Sequence, residues 1–160
     1  MLSSTNIYAG AVLEEEGFEK GLGNWKQSGQ VISVQSGGCR SGNKCILIER
    51  SNARDLTVIS QLISVPRRGR LTLSGYVKAS NVSIGSKFYE RGKFVASIFE
   101  NKSECCWKDD DFDGSMPDWI ERRIVIDDVE PSTPVMLRIG LQNAKGAVLI
   151  DDVSIKFEPN

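Results

Sequence analysis

The sequence contains no histidine among its 160 residues. This absence excludes catalysis by an imidazole base and any zinc site built on imidazole ligands. The chain also lacks a glycine-rich phosphate loop of either common spacing. No apolar run is long enough to cross a bilayer, so we expect no membrane insertion. The opening segment, MLSSTNIYAGAVLEEEG, lacks the basic start and hydrophobic stretch of a signal peptide.

An excess of one charge is also missing, since 20 basic and 21 acidic residues give a net charge of -1. A general nucleic-acid binder normally carries a basic face, so we expect no nucleic-acid partner. The hydrophobic content of 40% and charged content of 26% are ordinary for a globular protein. We expect residues 1–12 to be a linker or extra N-terminal strand and residues 13–160 to form a single domain with a real core.

Short segments of alternating polarity predict β-strands along most of the chain. In RLTLSGYVKAS, the residues Leu71 to Ala79 alternate between an apolar and a polar set. In PVMLRIGLQN, the alternation turns Met136, Arg138, Gly140 and Gln142 outward. Turn residues separate such segments and no clear helical stretch occurs. The pattern therefore predicts an all-β protein, a two-sheet antiparallel β-sandwich.

The last segment, GAVLIDDVSIKFEPN, contains an exception to this pattern. A period of two predicts one buried face for Ala147, Leu149, Val153, Ile155 and Phe157. Asp151 falls in the same set. A carboxylate turned toward a core must be neutralised, hydrogen-bonded or bound to a metal.

Five motifs carry a resemblance to a known family. In chain order they are GFEKGLGNW, CRSGNKCILIE, ISQLISVPRRGRLTLSGYVKAS, DWIERRIVI and LRIGLQNAKGAVLIDDVSI. Together they resemble the jelly-roll carbohydrate-binding modules of the galactose-binding-like superfamily, over residues 13–157. Two departures are VPRRGR in place of the usual Pro-Gly and Asn43 inserted in the Ser-Gly-Lys loop.

The resemblance implies a jelly roll and a non-catalytic module that binds a polysaccharide or glycan. Such a module belongs to a larger glycosidase or surface protein, outside the cell or at its surface. An alternative function is that of a structural or adhesion β-sandwich that mediates protein contacts. A glycosidase needs two carboxylates facing each other across a cleft, and nothing in the sequence pairs them.

The resemblance also implies a structural Ca²⁺ ion held between the first strand, the Ser-Gly-Lys loop and the terminal Asp. The expected ligands are the carboxylates of Glu16, Glu19 and Asp151 and the loop carbonyls of the segment from Ser41 to Lys44. Two other possibilities stay open for Asp151. It could form a salt bridge with an Arg or Lys, or a β-bulge could turn it to solvent.

A second acidic segment, DDDFDG, matches the front half of an EF-hand loop with Asp109, Asp111 and Asp113. The twelfth position of that loop is Ile120 rather than an acidic residue, and no flanking helix is evident. We therefore favour a solvated acidic loop.

Four cysteines are present. Cys39 and Cys45 bracket a Gly/Ser turn and could form a disulfide, or they could stay reduced. Oxidation would indicate a compartment outside the cytosol. Cys105 and Cys106 are adjacent, and a ring between neighbours is strained, so we expect free thiols or a partner elsewhere.

Aromatic rings that stack on sugars are the first candidates for a glycan site. We predict Trp25 and Trp107 as binding residues and Trp119 as a packing residue, although packing is an open alternative for each tryptophan. The outward strand residues Tyr76, Arg138 and Gln142 complete the predicted ligand-binding set. Gly140 would leave a flat spot beside them where a ligand could approach.

Overall fold

The computed structural model describes residues 12–29 and 32–160, which form two antiparallel β-sheets packed face to face. The strands in chain order are β1 (Val12–Glu16), β2 (Lys26–Ser28), β3 (Ile32–Ser36), β4 (Lys44–Arg50), β5 (Leu56–Ile63), β6 (Gly69–Val82), β7 (Gly92–Glu100), β8 (Ser103–Asp109), β9 (Gly114–Val129), β10 (Val135–Gln142) and β11 (Gly146–Pro159). Within the described ranges, no helix has the length and apolar character needed to cross a membrane.

The first sheet has six strands in the order β3-β4-β11-β6-β9, with β1 also paired to β11. The second sheet has five strands in the order β2-β5-β10-β7-β8. Every pair is antiparallel. The predicted all-β antiparallel sandwich is therefore confirmed. The predicted domain boundary at residue 13 falls inside β1, and residues 1–11 lie outside the described part of the chain.

The core lies between the two sheets and is built from alternate residues of each long strand. In β6 the alternation is regular, and Leu71, Leu73, Val77 and Ala79 are buried as predicted. β10 contributes its apolar set from Val135 to Leu141 in the same way. Fully burying one such large aliphatic side chain stabilises a fold by about 1.5–3 kcal/mol.

The strand β11 departs from simple alternation, because its register shifts between Asp151 and Ser154. Asp152 takes a left-handed backbone conformation there, with φ of 47°. This β-bulge adds one residue and reverses which positions face the core. The predicted burial of Ala147 and Leu149 is therefore wrong. The core residues of β11 are Val148 and Ile150 before the bulge and Val153, Ile155 and Phe157 after it.

Candidate functional site

The outer face of the five-stranded sheet is the face turned away from the core. Residues paired across an antiparallel ladder share a face. One row of such pairs crosses four strands of this sheet: Leu62, Met136, Ser97 and Trp107. Since neighbouring strands lie about 4.8 Å apart, the row extends over roughly 14 Å.

Arg138 lies in the next row of this outer face and connects three strands. Its Nη1 donates hydrogen bonds to Ser97 Oγ at 3.0 Å and to Glu104 Oε1 at 2.8 Å. The guanidinium is thereby held in one orientation over β7 and β8. A planar, always charged donor fixed in this way retains further N–H groups for a ligand.

A β-bulge in β8 brings Glu104 to the same face as Trp107. Ile98 pairs with Cys106, whereas Phe99 pairs with Glu104, so Cys105 is the extra residue. In a regular strand, residues three positions apart point to opposite faces. Glu104 was not predicted as a site residue, because alternation alone assigns it to the wrong side and the sequence gives no sign of the bulge.

The outer face is not uniformly exposed. Val95 and Ser97 are only 9% and 4% exposed although they point away from the core. A cavity of about 480 Å³ lies at one end of the Trp107 row. Its lining is largely apolar: Leu62, Phe99, Asn101, Lys102, Ser132, Pro134 and Met136. Trp107 stands at the opposite end with 61% of its surface exposed.

The structure brings together two of the predicted ligand-binding residues, Trp107 and Arg138. Gln142 is half-buried on the same strand, four residues beyond Arg138. Gly140 is not a ligand approach point. A Cβ there would meet the Thr57 carbonyl oxygen at 2.2 Å, so the glycine serves the close approach of β5 to β10.

The other predicted aromatic residues lie elsewhere. Trp25 is 4% exposed in the core, with its ring centroid 6.3 Å from that of Phe18, so it offers no open platform. Tyr76 is on β6 of the other sheet, where the Arg40 guanidinium lies 3.4 Å above its ring. Trp119, predicted as a packing residue, is half-buried within β9.

The acidic segment at residues 109–114 does not form the solvated loop that we favoured. Asp111 is buried and forms an ion pair with the buried Lys93, and the Phe94 N–H donates to its Oδ1 at 3.0 Å. Burial raises the pKa of the Asp111 carboxyl, against the opposite effect of Lys93.

Neighbouring carboxylates of this segment face different cations. Asp110 Oδ1 lies 3.3 Å from Arg122 Nη1, and Asp113 Oδ2 lies 3.4 Å from Arg91 Nη1. The side chains therefore diverge toward three separate basic residues and do not converge on one ion. In the described part of the chain, no group of three or more His, Cys, Asp or Glu side chains could hold a metal ion.

Asp151 is fully buried, and backbone amides satisfy its carboxylate. The N–H groups of Arg40 and Ser41 donate to Oδ2 at 3.0 and 3.2 Å, and the Asp152 N–H donates to Oδ1 at 2.8 Å. Burial raises the pKa of the Asp151 carboxyl, and these donors oppose that rise. Asp151 pairs with Tyr76 in β6, so its side chain lies on the outer face of the six-stranded sheet, where the loop at residues 40–41 covers it. The expectation that Asp151 shares the face of the core residues is therefore wrong.

Glu19 anchors the other half of the same loop. Its Oε1 accepts N–H donors from Asn43 at 3.0 Å and Lys44 at 2.9 Å. Asp152, outside the core, accepts from Ser41 Oγ at 2.7 Å and pairs with Arg40 at 2.8 Å. Residues 40–44 are therefore held by carboxylates through their amide groups.

The donors facing these carboxylates do not fit a calcium ion. Calcium takes oxygen ligands such as carboxylates and carbonyls. At Ser41 and Lys44 the amide N–H, and not the carbonyl oxygen, faces Asp151 and Glu19. The side chain of Glu16 lies outside the described part, and its backbone pairs with Val153.

The loop is closed at its base by a disulfide. Cys39 and Cys45 form a disulfide, with their Cα atoms 5.5 Å apart. Of the two alternatives that the sequence left open, a disulfide or reduced thiols, the structure has the disulfide. Cys105 and Cys106 are free and exposed.

No protein-family model and no curated protein matches the chain. Solved structures do match. The CBM22-1 xylan-binding domain of Paenibacillus barcinonensis aligns with a TM-score of 0.64 and 18% identity, over 97% of this chain and 99% of that one. This chain has the jelly-roll fold of the carbohydrate-binding modules. The predicted resemblance is confirmed at the level of fold.

Two further carbohydrate-binding modules show the same likeness. TmCBM61, solved with β-1,4-galactotriose, aligns at a TM-score of 0.62 and 15% identity, over 89% of this chain and 94% of that one. The CBM22-1-GH10 modules of a Clostridium thermocellum endo-1,4-β-D-xylanase, complexed with xylohexaose, align at 0.63 and 13%, over 96% of this chain and 29% of that one.

Proposed function

We propose that the chain is a non-catalytic carbohydrate-binding module whose outer sheet face binds a polysaccharide or glycan chain. The observation that carries the proposal is the set formed by Trp107, Arg138 and Glu104. An exposed aromatic ring, a fixed guanidinium and a carboxylate share one outer face. The jelly-roll fold shared with modules solved with xylohexaose and galactotriose supports it.

The chemistry of this face suits a sugar chain. The apolar face of a sugar ring stacks on an aromatic side chain, and its hydroxyls bond to charged groups. Here the Trp107 ring supplies the stacking surface, while Arg138 donates to hydroxyls and Glu104 accepts from them. The row of roughly 14 Å offers room for several sugar units in line.

The same reasoning gives the expected context of the module. The expected partner is a polysaccharide. We also expect the module to be fused to a catalytic domain in its parent protein, as the matched module is in the Clostridium thermocellum xylanase. The disulfide between Cys39 and Cys45 supports an extracellular or cell-surface location, because such bonds persist in oxidising compartments.

The charged groups of this face favour glycan binding over an adhesion role. A protein-contact domain would present a flat apolar patch. On this face Arg138 and Glu104 instead lie beside an exposed tryptophan, and a cavity lies at the other end of the row.

The proposal is tested by measuring binding of the purified domain to xylan, galactan, β-glucan and mannan by calorimetry and affinity electrophoresis. We expect the wild type to bind at least one of them. Arg138→Ala should weaken that binding about tenfold or more, as loss of an interface arginine commonly does. Tyr76→Ala is the matched control on the opposite sheet and should bind as the wild type does.

Binding lost in Tyr76→Ala but kept in Arg138→Ala would place the site on the other sheet. No binding to any polysaccharide of the panel would contradict the proposed function.

A further inference from the structure

The two free cysteines form a close pair at the edge of the five-stranded sheet. The sulfur atoms of Cys105 and Cys106 lie 3.1 Å apart. Both residues are exposed, and β8 is the outermost strand of its sheet. Small solutes can therefore reach both thiols.

The β8 bulge explains why the two thiols meet. Adjacent residues of a regular strand point to opposite faces, which keeps their side chains apart. Cys105 is the extra residue at the register shift between Ile98 and Phe99, so it does not follow this alternation. The backbone irregularity thus brings neighbouring sulfur atoms within reach of each other.

We propose that Cys105 and Cys106 are a redox pair that closes to a disulfide between adjacent residues by exchange with a small-molecule disulfide such as glutathione disulfide. A hydrogen bond with Cys106 raises the pKa of the Cys105 thiol, so Cys105 keeps its proton at first. Cys106 then makes the first attack, as a thiolate.

The exchange balances in two steps. The Cys106 thiolate attacks one sulfur of glutathione disulfide, forms a mixed disulfide and releases one glutathione thiolate. Cys105 then loses its proton, attacks the Cys106 sulfur and releases the second glutathione. In sum, the two cysteines lose two protons and two electrons, and one glutathione disulfide becomes two glutathione molecules.

The pair should be reduced more easily than the disulfide in the loop at residues 39–45. A ring between adjacent residues constrains the backbone, and strained, exposed disulfides are the labile ones. Cys39 and Cys45 are separated by six positions and bracket a turn, so their bond carries no such constraint. The chain therefore contains its own reference disulfide.

The ring would lie directly between Glu104 and Trp107, which are the sequence neighbours of Cys105 and Cys106. Closing it fixes the bulge that orients both side chains. The consequence for glycan affinity rests on the proposed function, and we expect a severalfold difference in Kd between the reduced and oxidised proteins. The thiol chemistry itself is measured without any glycan, so the two proposals fail separately.

The test equilibrates the purified protein in mixtures of reduced and oxidised glutathione, followed by acid quenching, alkylation and peptide mass spectrometry. In oxidising mixtures we expect the peptide with both cysteines to lose two hydrogens, to resist alkylation and to stay monomeric. As the mixture becomes more reducing, this pair should open before Cys39 and Cys45 do.

Single variants provide the control. Cys105→Ser and Cys106→Ser each leave one thiol, which should stop at the mixed disulfide with glutathione. In the double variant Cys39→Ser and Cys45→Ser, the adjacent pair should still close. Two alkylated thiols at every ratio, a stable mixed disulfide in the wild type, or a dimer linked between chains would each overturn the proposal.

Discussion

At the scale of single residues, exposure separates the two tryptophans that the sequence ranked equally. Trp25 is 4% exposed and packs against Phe18, whereas Trp107 is 61% exposed on an edge strand. A buried ring contributes to folding and an exposed ring is available to a ligand. Truncating each one should therefore change a different quantity.

We expect Trp25→Ala to lower the free energy of unfolding by about 3–5 kcal/mol, because it leaves a large cavity in the core. Trp107→Ala should leave that free energy nearly unchanged and weaken glycan binding by roughly 1–3 kcal/mol. Urea unfolding and calorimetric titration measure the two quantities. A Trp107→Ala protein that unfolds early would show that the ring packs instead.

Asp151 gives a prediction for pH dependence. Burial raises the pKa of its carboxyl in the folded protein, so the folded state binds this proton more tightly than the unfolded state does. The contribution of this proton to the free energy of unfolding is fully present below about pH 4, the ordinary pKa of an aspartate in an unfolded chain. It is lost as the pH rises through the higher pKa that Asp151 has in the folded protein.

The control for this effect is Asp151→Asn, which cannot titrate. The melting temperature of the wild type minus that of the variant should fall as the pH rises from about 4 toward 7. A difference that grows over this range would show that the amide donors of Arg40 and Ser41 outweigh burial.

At the scale of strands, alternation predicts the regular elements and fails at the bulges. It assigns the buried residues of β6 and β10 correctly, because each of these strands keeps the same face inward at its apolar positions. It misplaces Ala147 and Leu149 in β11, where one extra residue reverses the faces. A bulge depends on pairing with another strand, and that information is not local in sequence.

In the candidate site, too, alternation predicts the residues of regular strands and misses the residue that a bulge reorients. Trp107 and Arg138 were predicted from residue type and outward position. Glu104 was not, because only the bulge at Cys105 turns it toward Arg138. Trp25 was misplaced, since a tryptophan after a turn can either cap a core or face solvent, and tertiary packing decides between them.

The bulge itself can be tested by deleting Cys105. The deletion leaves Glu104 two positions from Trp107, so regular alternation keeps both side chains on the outer face and preserves the contact between Arg138 and Glu104. We therefore expect the deletion variant to bind the glycan as the reduced wild type does. Glu104→Ala removes the charge partner of Arg138 instead, and Kd should rise about tenfold or more, as loss of an interface charge pair does. Binding lost in the deletion variant as fully as in Glu104→Ala would show that the bulge does more than set the face of Glu104.

At the scale of the whole molecule, one short loop joins distant parts of the chain. Glu19 lies between β1 and β2, which belong to different sheets, and Asp151 lies in the central strand β11. Both carboxylates hold residues 40–44 through amide groups, and the disulfide closes the loop. The loop therefore connects the segment between β1 and β2, which passes from one sheet to the other, with the central strand β11 of the six-stranded sheet.

The last prediction concerns what holds this loop. An ion bound only by the folded protein adds stability by mass action, about 2.7 kcal/mol at a hundred times its Kd. Because N–H donors already face Glu19 and Asp151, we expect chelator-treated protein to melt at the same temperature with and without added calcium. Glu19→Gln should lower that temperature equally in both buffers, since it weakens two charge-assisted hydrogen bonds. A calcium-dependent rise of several degrees in the wild type, absent from Asp151→Asn, would instead establish the calcium site that the resemblance implies.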